Sequence, residues 1–312
     1  MPAVGATDVA IIGGSFAGLT AALQLGRASR TVSVFDTGQP RNATSPAAHG
    51  VPGWDGRAPG DILDAIRRDA AAYPTVAFHD LAVTGLSGEA DAFRLSTAAG
   101  EWQARRIIFA CGMTDHLPDI PGLAEGWGRW ALHCPYCHGY EIRNRPLSIL
   151  GRNPMALSMA KMLRTDWSHD VTLIAHEGDL GPDADGEAES LGVTLHSSPL
   201  IQAESDGDGA QLTLADGTTF ETAGLFLHAD TDFSAPFVAD LGLTTLQGPT
   251  GPYLKTGPFN TTSRAGIFAA GDIVRPAGIL TPALSDGVIT GTAAHQSLLW
   301  PERFPPIQET QP

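Results

Sequence analysis

A chain of 312 residues is long enough for two domains at the usual ~100–200 residues each. With 43% hydrophobic and 17% charged residues it can bury sizeable cores, which excludes general disorder. Nineteen basic against 34 acidic residues leave a net charge of −15, and a surface that acidic repels phosphate backbones, so nucleic acid is not an expected partner.

The opening MPAVGATDVAIIGG has no basic stretch ahead of an apolar run, so no secretory signal is expected. No apolar run approaches the ~20 residues needed to span a bilayer. No membrane partner is expected, and cytoplasmic residence is the default. The first strand pattern, Val9 to Ile12, turns through Gly13, Gly14, Ser15, Phe16, Ala17 and Gly18 into the helical pattern Leu19 to Leu25. A second strand, Thr31 to Phe35, ends at Asp36. Strand, glycine turn, helix, strand and acid is the order of a dinucleotide-binding βαβ unit. Its glycines let the backbone approach a pyrophosphate, whose charge then sits at a helix N-terminus. Asp36, 18 residues past Gly18, is spaced to accept from a ribose hydroxyl. Ser15 holds the middle glycine position, where its hydroxyl is able to donate to a phosphate.

Three cysteines argue against a disulfide scaffold and for catalytic use of the close pair Cys134 and Cys137. Pro135 stiffens the turn between them, and the spacing allows a disulfide. A helix starting here favours a thiolate at Cys134 through its N-terminal amides and dipole. His138 follows directly and titrates near neutrality, so it is placed to act as a general base toward an incoming thiol. Two rival readings of these letters fail. Cys-Pro-Tyr-Cys-His matches a c-type haem attachment, but that chemistry normally follows export. A structural zinc site needs four ligands, and no second Cys-x-x-Cys exists, so no metal is expected.

A second βαβ pattern begins at Pro146 to Leu150 and turns through Gly151-Arg-Asn-Pro-Met-Ala156 toward a strand at Val171 to Ile174. Here Asn153 puts a side chain where a backbone must approach a pyrophosphate, and Pro154 removes an N–H from the helix end. Downstream, Gly266-Ile-Phe-Ala-Ala-Gly-Asp272 is a short strand ending in Gly271-Asp272, followed by a helix from about Pro282 to Leu299. Such a Gly-Asp ending typically meets a ribityl or pyrophosphate group in flavoproteins, so FAD fits better than NAD alone. These patterns predict an α/β protein of two Rossmann-like domains, the second inserted in the first. Residues 1–116 and 247–312 form the FAD-binding domain, and 117–246 the inserted domain carrying the cysteine pair.

Over nearly its whole length the chain resembles the low-molecular-weight thioredoxin reductases. It looks closest to their branch of FAD-dependent dithiol oxidases, such as those forming the disulfides of gliotoxin and holomycin. The residues that carry the resemblance are Ile12-Gly-Gly-Ser-Phe-Ala-Gly-Leu19, Gln39-Pro-Arg-Asn42, Cys134-Pro-Tyr-Cys-His-Gly-Tyr-Glu141 and Gly271-Asp272. The resemblance implies a homodimer and a small dithiol natural product as substrate, in antibiotic biosynthesis or self-protection. It further implies that Arg41 and Asn42 lie near the flavin, Val83 near the adenine and Asp272 at the ribityl chain. Ala110, Cys111 and Gly112 would form a flavin-proximal turn, with Cys111, where threonine is usual, a buried spectator.

The inserted domain departs from the reductase pattern. Its turn lacks the glycines that cradle NADPH, Ala175-His-Glu-Gly178 stands where arginines meet the 2′-phosphate, and His228-Ala-Asp230 replaces a Gly-His turn. Glu177 would repel that phosphate. Electrons are therefore expected to enter from the thiol side. A dithiol attacks Cys134, His138 takes the proton, Cys137 passes the electron pair to FAD, and dioxygen accepts it to give hydrogen peroxide. Tyr136, His49 and Trp54 are candidates to shape the substrate pocket. Two alternatives stay open: an NAD(P)H- or ferredoxin-fed thioredoxin/disulfide reductase, and a non-catalytic flavin sensor with the cysteines as its switch.

Overall fold

The structure, a computed structural model, describes residues 4–308. The chain begins with β1 (Gly5–Ile12), α1 (Phe16–Arg27) and β2 (Val32–Phe35), then α2 (Pro59–Ala71), β3 (Val76–His79), β4 (Val83–Ser87), β5 (Phe93–Thr97), β6 (Gly100–Phe109) and β7 (Met113–His116). Next come α3 (Leu123–Gly126), β8 (Ala131–Leu132), α4 (Pro135–His138), β9 (Leu147–Gly151), α5 (Met155–Asp166), β10 (Val171–Ala175), α6 (Ala184–Leu191) and β11 (Thr194–His196). The rest is β12 (Leu200–Ser205), β13 (Ala210–Leu214), β14 (Thr219–Thr222), β15 (Gly224–Leu227), β16 (Asp230–Phe233), β17 (Thr245–Gln247), β18 (Pro252–Leu254), β19 (Ile267–Ala269) and α7 (Leu280–Ser297).

Two compact units emerge. Unit 1 comprises 1–43, 60–115 and 231–312; unit 2 comprises 44–59 and 116–230. The return to unit 1 thus falls at Thr231 rather than at 247. β16 pairs with β7, and Phe233, Ala235, Val238 and Leu243 bury their side chains in the core of unit 1. The loop 44–59 goes with unit 2 although both its ends join unit 1 in sequence. Nothing in its composition marks that.

In unit 1 the sheet runs β3-β2-β1-β6-β5-β4, with β19 also on β6. β1, β2, β3, β6 and β19 pair in parallel, while β5 and β4 are antiparallel additions. β2 is buried at every residue, as a parallel strand covered on both faces must be, which is why it reads as an unbroken apolar run. β1 begins at Gly5, earlier than its apolar signal, because Gly5 to Thr7 pair with Trp102 to Ala104 of β6.

One register row positions the site. Phe35, Ile12, Phe109 and Ala269, the last residues of four strands, lie side by side. The segments that leave them therefore converge on one carboxyl edge: Asp36 after β2, the glycine turn after β1, Ala110 to Gly112 after β6 and Gly271-Asp272 after β19. Ligands of open α/β sheets bind outside that edge.

Unit 2 repeats the idea with the sheet β11-β10-β9-β15-β8, every pairing of which is parallel. An antiparallel sheet β12-β13-β14, which was not anticipated from the sequence although Asp216-Gly217 follows the alternating run Ala210–Leu214, accompanies it. Its Leu200, Leu212 and Leu214 share one core with Trp130, Leu150 and Leu225.

Candidate active site

At the carboxyl edge of unit 1, the glycine turn is built for close approach. Gly13 has φ +104°, a conformation that costs other residues, and a side chain there would run into the backbone of Ala110 and Cys111. A Cβ on Gly18 would land on the carbonyl oxygen of Gly13, so α1 can enter this close only as glycine. Ser15 is the N-cap of α1 and makes no side-chain bond to its first-turn amides. Those donors remain available at a helix N-terminus, where an anion is favoured. Phe16 and Ala17 are buried in the first turn, and Gly14 packs against Asp36. The turn fits a pyrophosphate.

Arg41 and Asp272, separately expected near a flavin, meet each other here. Arg41 donates from Nη1 to Asp272 Oδ2 at 2.9 Å, and from Nε and Nη2 to Asp115 at 2.9 and 2.5 Å. Burial works against the Arg41 charge, yet the hydrogen bonds and charges of the two carboxylates outweigh it and raise its pKa. Asn42 follows, half-buried, in the same turn, and Val83 is buried at the start of β4. Asp286, 3% exposed, accepts from the Gly271 N–H and from Arg275 and so pins the turn before Asp272. Asp115 was not anticipated; it lies 74 residues from Arg41 and has no local signature. Burial pushes the Cys111 thiol up to about 12, so it stays protonated at neutral pH.

In unit 2, β8 delivers the chain to Cys134, which is disulfide-bonded to Cys137 with the two Cα atoms 5.3 Å apart. α4 is a single turn, with Pro135 at its start, where a missing N–H costs nothing. Cys134 is its N-cap, and the Cys137 N–H donates to the Cys134 carbonyl at 3.1 Å. One turn carries little macrodipole, so the thiolate stabilisation expected from a helix start is weak here. Both cysteines are half-buried. Tyr136 between them is 78% exposed and meets Trp167 edge-on at 5.6 Å.

His138 is half-buried, and burial holds its pKa below the usual histidine value; Glu141 opposes that shift and His49 adds to it. It is thus neutral and able to accept a proton at neutral pH. The loop that brings His49 is a tight hairpin, with the Ala48 N–H on the Arg57 carbonyl at 2.7 Å and the Gly50 N–H on Asp55 Oδ1 at 2.8 Å. His49 Nδ1 lies 3.6 Å from Asp55 Oδ2, and Nε2 lies 3.5 Å from Glu141 Oε1. Trp54, at the tip, is 40% exposed. Asp55 has no signature in the sequence, and Glu141 is marked there only as the last residue of the cysteine motif. Among the described residues no group of three or more His, Cys, Asp or Glu is arranged to hold a metal ion.

The second nucleotide-like turn differs from the first. Asn153 Oδ1 accepts the Met155 N–H at 3.0 Å, and the Asn153 carbonyl accepts the Ala156 N–H at 3.1 Å. Pro154 has no N–H to offer. The Arg152 guanidinium is tied to Asp230 at 3.1 Å. Glu177, two residues past β10, keeps an exposed carboxylate. The amino end of α5 has satisfied its own donors.

A dinucleotide cradle in one unit and a closed Cys-x-x-Cys disulfide beside a neutral histidine in the other define a flavin-dependent thiol/disulfide oxidoreductase. Residues 7–296 match the pyridine nucleotide-disulphide oxidoreductase family, and the chain belongs to it. It is 34% identical over 310 residues to the thioredoxin reductase tcpT of Claviceps purpurea, covering 94% of both chains. It is 30% identical over 308 residues to the thioredoxin reductase sirT of Leptosphaeria maculans, covering 92% of this chain and 93% of that one. Among solved structures, an oxidoreductase from Agrobacterium tumefaciens superposes with a TM-score of 0.88 at 40% identity, covering 95% of this chain and 99% of that one. The protein is accordingly an FAD flavoprotein. Among the described residues no helix is long and apolar enough to cross a membrane.

Proposed function

We propose that this protein oxidises a small-molecule dithiol to an intramolecular disulfide, with dioxygen as final acceptor and hydrogen peroxide as product. The observation that carries the reading is the self-satisfied amino end of α5, where Asn153, Pro154 and the Arg152–Asp230 pair replace an open anion site. A pyridine nucleotide would meet first-turn amides of Met155, Ala156 and Leu157 that already donate within the chain, so reducing equivalents come from thiols.

FAD would be held by Gly13, Gly14, Ser15, Phe16, Ala17, Gly18, Asp36, Arg41, Asn42, Val83, Ala110, Gly112, Gly271 and Asp272. Bound there it supplies a two-electron store that exchanges with a dithiol centre on one side and dioxygen on the other. The chemistry of the chain is disulfide exchange. The first substrate thiol gives its proton to His138 and attacks Cys134; the Cys134–Cys137 bond breaks and Cys137 leaves as thiolate. The second substrate thiol attacks the substrate sulfur of the mixed disulfide, and Cys134 departs with that thiol's proton. The substrate has then lost two electrons and two protons, and the cysteine pair has gained the electrons. Exposed Tyr136 and Trp54 offer apolar contact to a small substrate rather than a keyed protein surface.

Anaerobic mixing tests the reading. Dithiothreitol is expected to bleach the flavin within seconds while NADPH leaves it oxidised, and dithiols alone are expected to drive oxygen uptake and peroxide release. Rapid bleaching by NADPH would overturn the oxidase reading in favour of an NADPH-fed disulfide reductase, the activity that the names of the relatives favour. Loss of dithiol turnover in Cys134→Ser would exclude a passive sensor.

A further inference from the structure

Disulfide exchange leaves a proton on His138 that must depart before the next thiol can be deprotonated. Resting on the dithiol reading above, we infer that Glu141 and His49 form the proton outlet of the disulfide site: Glu141 takes the proton from His138, and His49 holds the Glu141 carboxylate in place to do so. Glu141 is three residues beyond His138, and its side chain is 44% exposed, so a proton received there passes directly to water.

The geometry separates these two residues from ordinary surface charges. Glu141 sits on an exposed turn, where a free carboxylate would sample many rotamers. It is met instead by His49 Nε2 at 3.5 Å, from a hairpin of a remote chain segment. That hairpin is closed by the Ala48–Arg57 bridge and by the Asp55 cap on the Gly50 N–H. Asp55 Oδ2 lies 3.6 Å from the other ring nitrogen, so the imidazole stands between two carboxylates. The titratable groups acting on one another here are His49 and Asp55 from the hairpin, and His138 and Glu141 from the cysteine segment. Glu141 is the relay group and His49 a positioning residue.

The charges on this cluster predict opposite behaviour for two variants. Glu141 raises the proton affinity of His138 and His49 lowers it. In the holoprotein, Glu141→Gln and His49→Gln are expected to slow anaerobic flavin reduction by dithiothreitol about tenfold, less than the ~10²-fold of a direct general base because both act through His138. The acid limb of the rate profile is expected to move to lower pH in Glu141→Gln and to higher pH in His49→Gln. The same pair is then read without any dithiol turnover. Holoprotein reduced with a phosphine is alkylated with iodoacetamide across pH, and Cys134 modification is followed by mass spectrometry, with the same opposite displacements expected. Unchanged rates and limbs in both variants would sink the outlet, and limbs moving in the same direction would show a rearranged loop instead. Failure of dithiothreitol to reduce the wild-type flavin would count against the dithiol reading alone, because the alkylation limbs still decide the role of the pair.

Discussion

His138 combines two properties that a thiol-handling base needs: a position directly after Cys137 and a pKa held below the usual histidine value by burial. The sign of that shift fixes the pH dependence. A histidine acting as base works only when neutral, so dithiol attack should rise as pH climbs through the lowered value and be flat by neutrality. His138→Gln is expected to abolish that limb and slow flavin reduction by dithiols roughly 10²-fold, the low end for general base catalysis, in stopped-flow traces from pH 4 to 9. A retained limb would assign the base elsewhere. The Cys134–Cys137 pairing was legible because the two cysteines and the adjacent His138 lie in contiguous letters. Glu141 closes the same motif, but its proximity to His49 was not legible, because a separate segment supplies His49. Arg41 and Asp272 were expected singly, but the pairing of Arg41 with both Asp272 and Asp115 spans distant segments that no local pattern connects.

The two βα turns look alike as letters and differ as structures. At α1 the glycines bring backbone to backbone and the first amides have no side-chain cap; at α5 Asn153 caps Met155 and Pro154 withholds a donor. The sequence already carried this contrast, since both effects follow from residue type. It did not carry the Arg152–Asp230 pair, which closes the second turn from a distant strand. A helix starting at the cysteine pair was one condition for a stabilised thiolate, and α4 is only one turn long; the antiparallel β12–β14 sheet was not anticipated although Ala210–Leu214 alternates apolar and polar residues. Gly18→Ala tests the first turn. Its Cβ would collide with the Gly13 carbonyl, and the backbone shift needed to relieve such overpacking costs about 1–3 kcal/mol. FAD affinity is expected to fall by about one order of magnitude in titrations followed by flavin fluorescence. Unchanged affinity would mean that α1 need not approach the turn so closely.

At the scale of the whole chain, the hydrophobic cores follow the two units. One gathers Ile12, Phe35, Phe109, Phe233 and Ile267, and the others gather Ile149, Leu173 and Phe226 or Trp130, Leu200 and Leu225. The insertion of one α/β unit into another was readable from the order of strands and turns. Its edges were not, because the loop 44–59 and the return at Thr231 are set by tertiary packing. This partition makes ligand linkage a whole-molecule test. A ligand that binds only the folded state adds RT ln(1 + [L]/Kd), about 2.7 kcal/mol at one hundred times Kd. For a unit of this size that corresponds to a rise of roughly 5–10 °C in melting temperature. In calorimetry of flavin-stripped protein, FAD is therefore expected to raise the transition of unit 1, which holds the open turn at α1. NADPH is expected to move neither transition, because the donors at α5 are already taken. An NADPH-dependent rise in the transition of unit 2 would show that the nucleotide still binds there and would return the electron supply to nicotinamide.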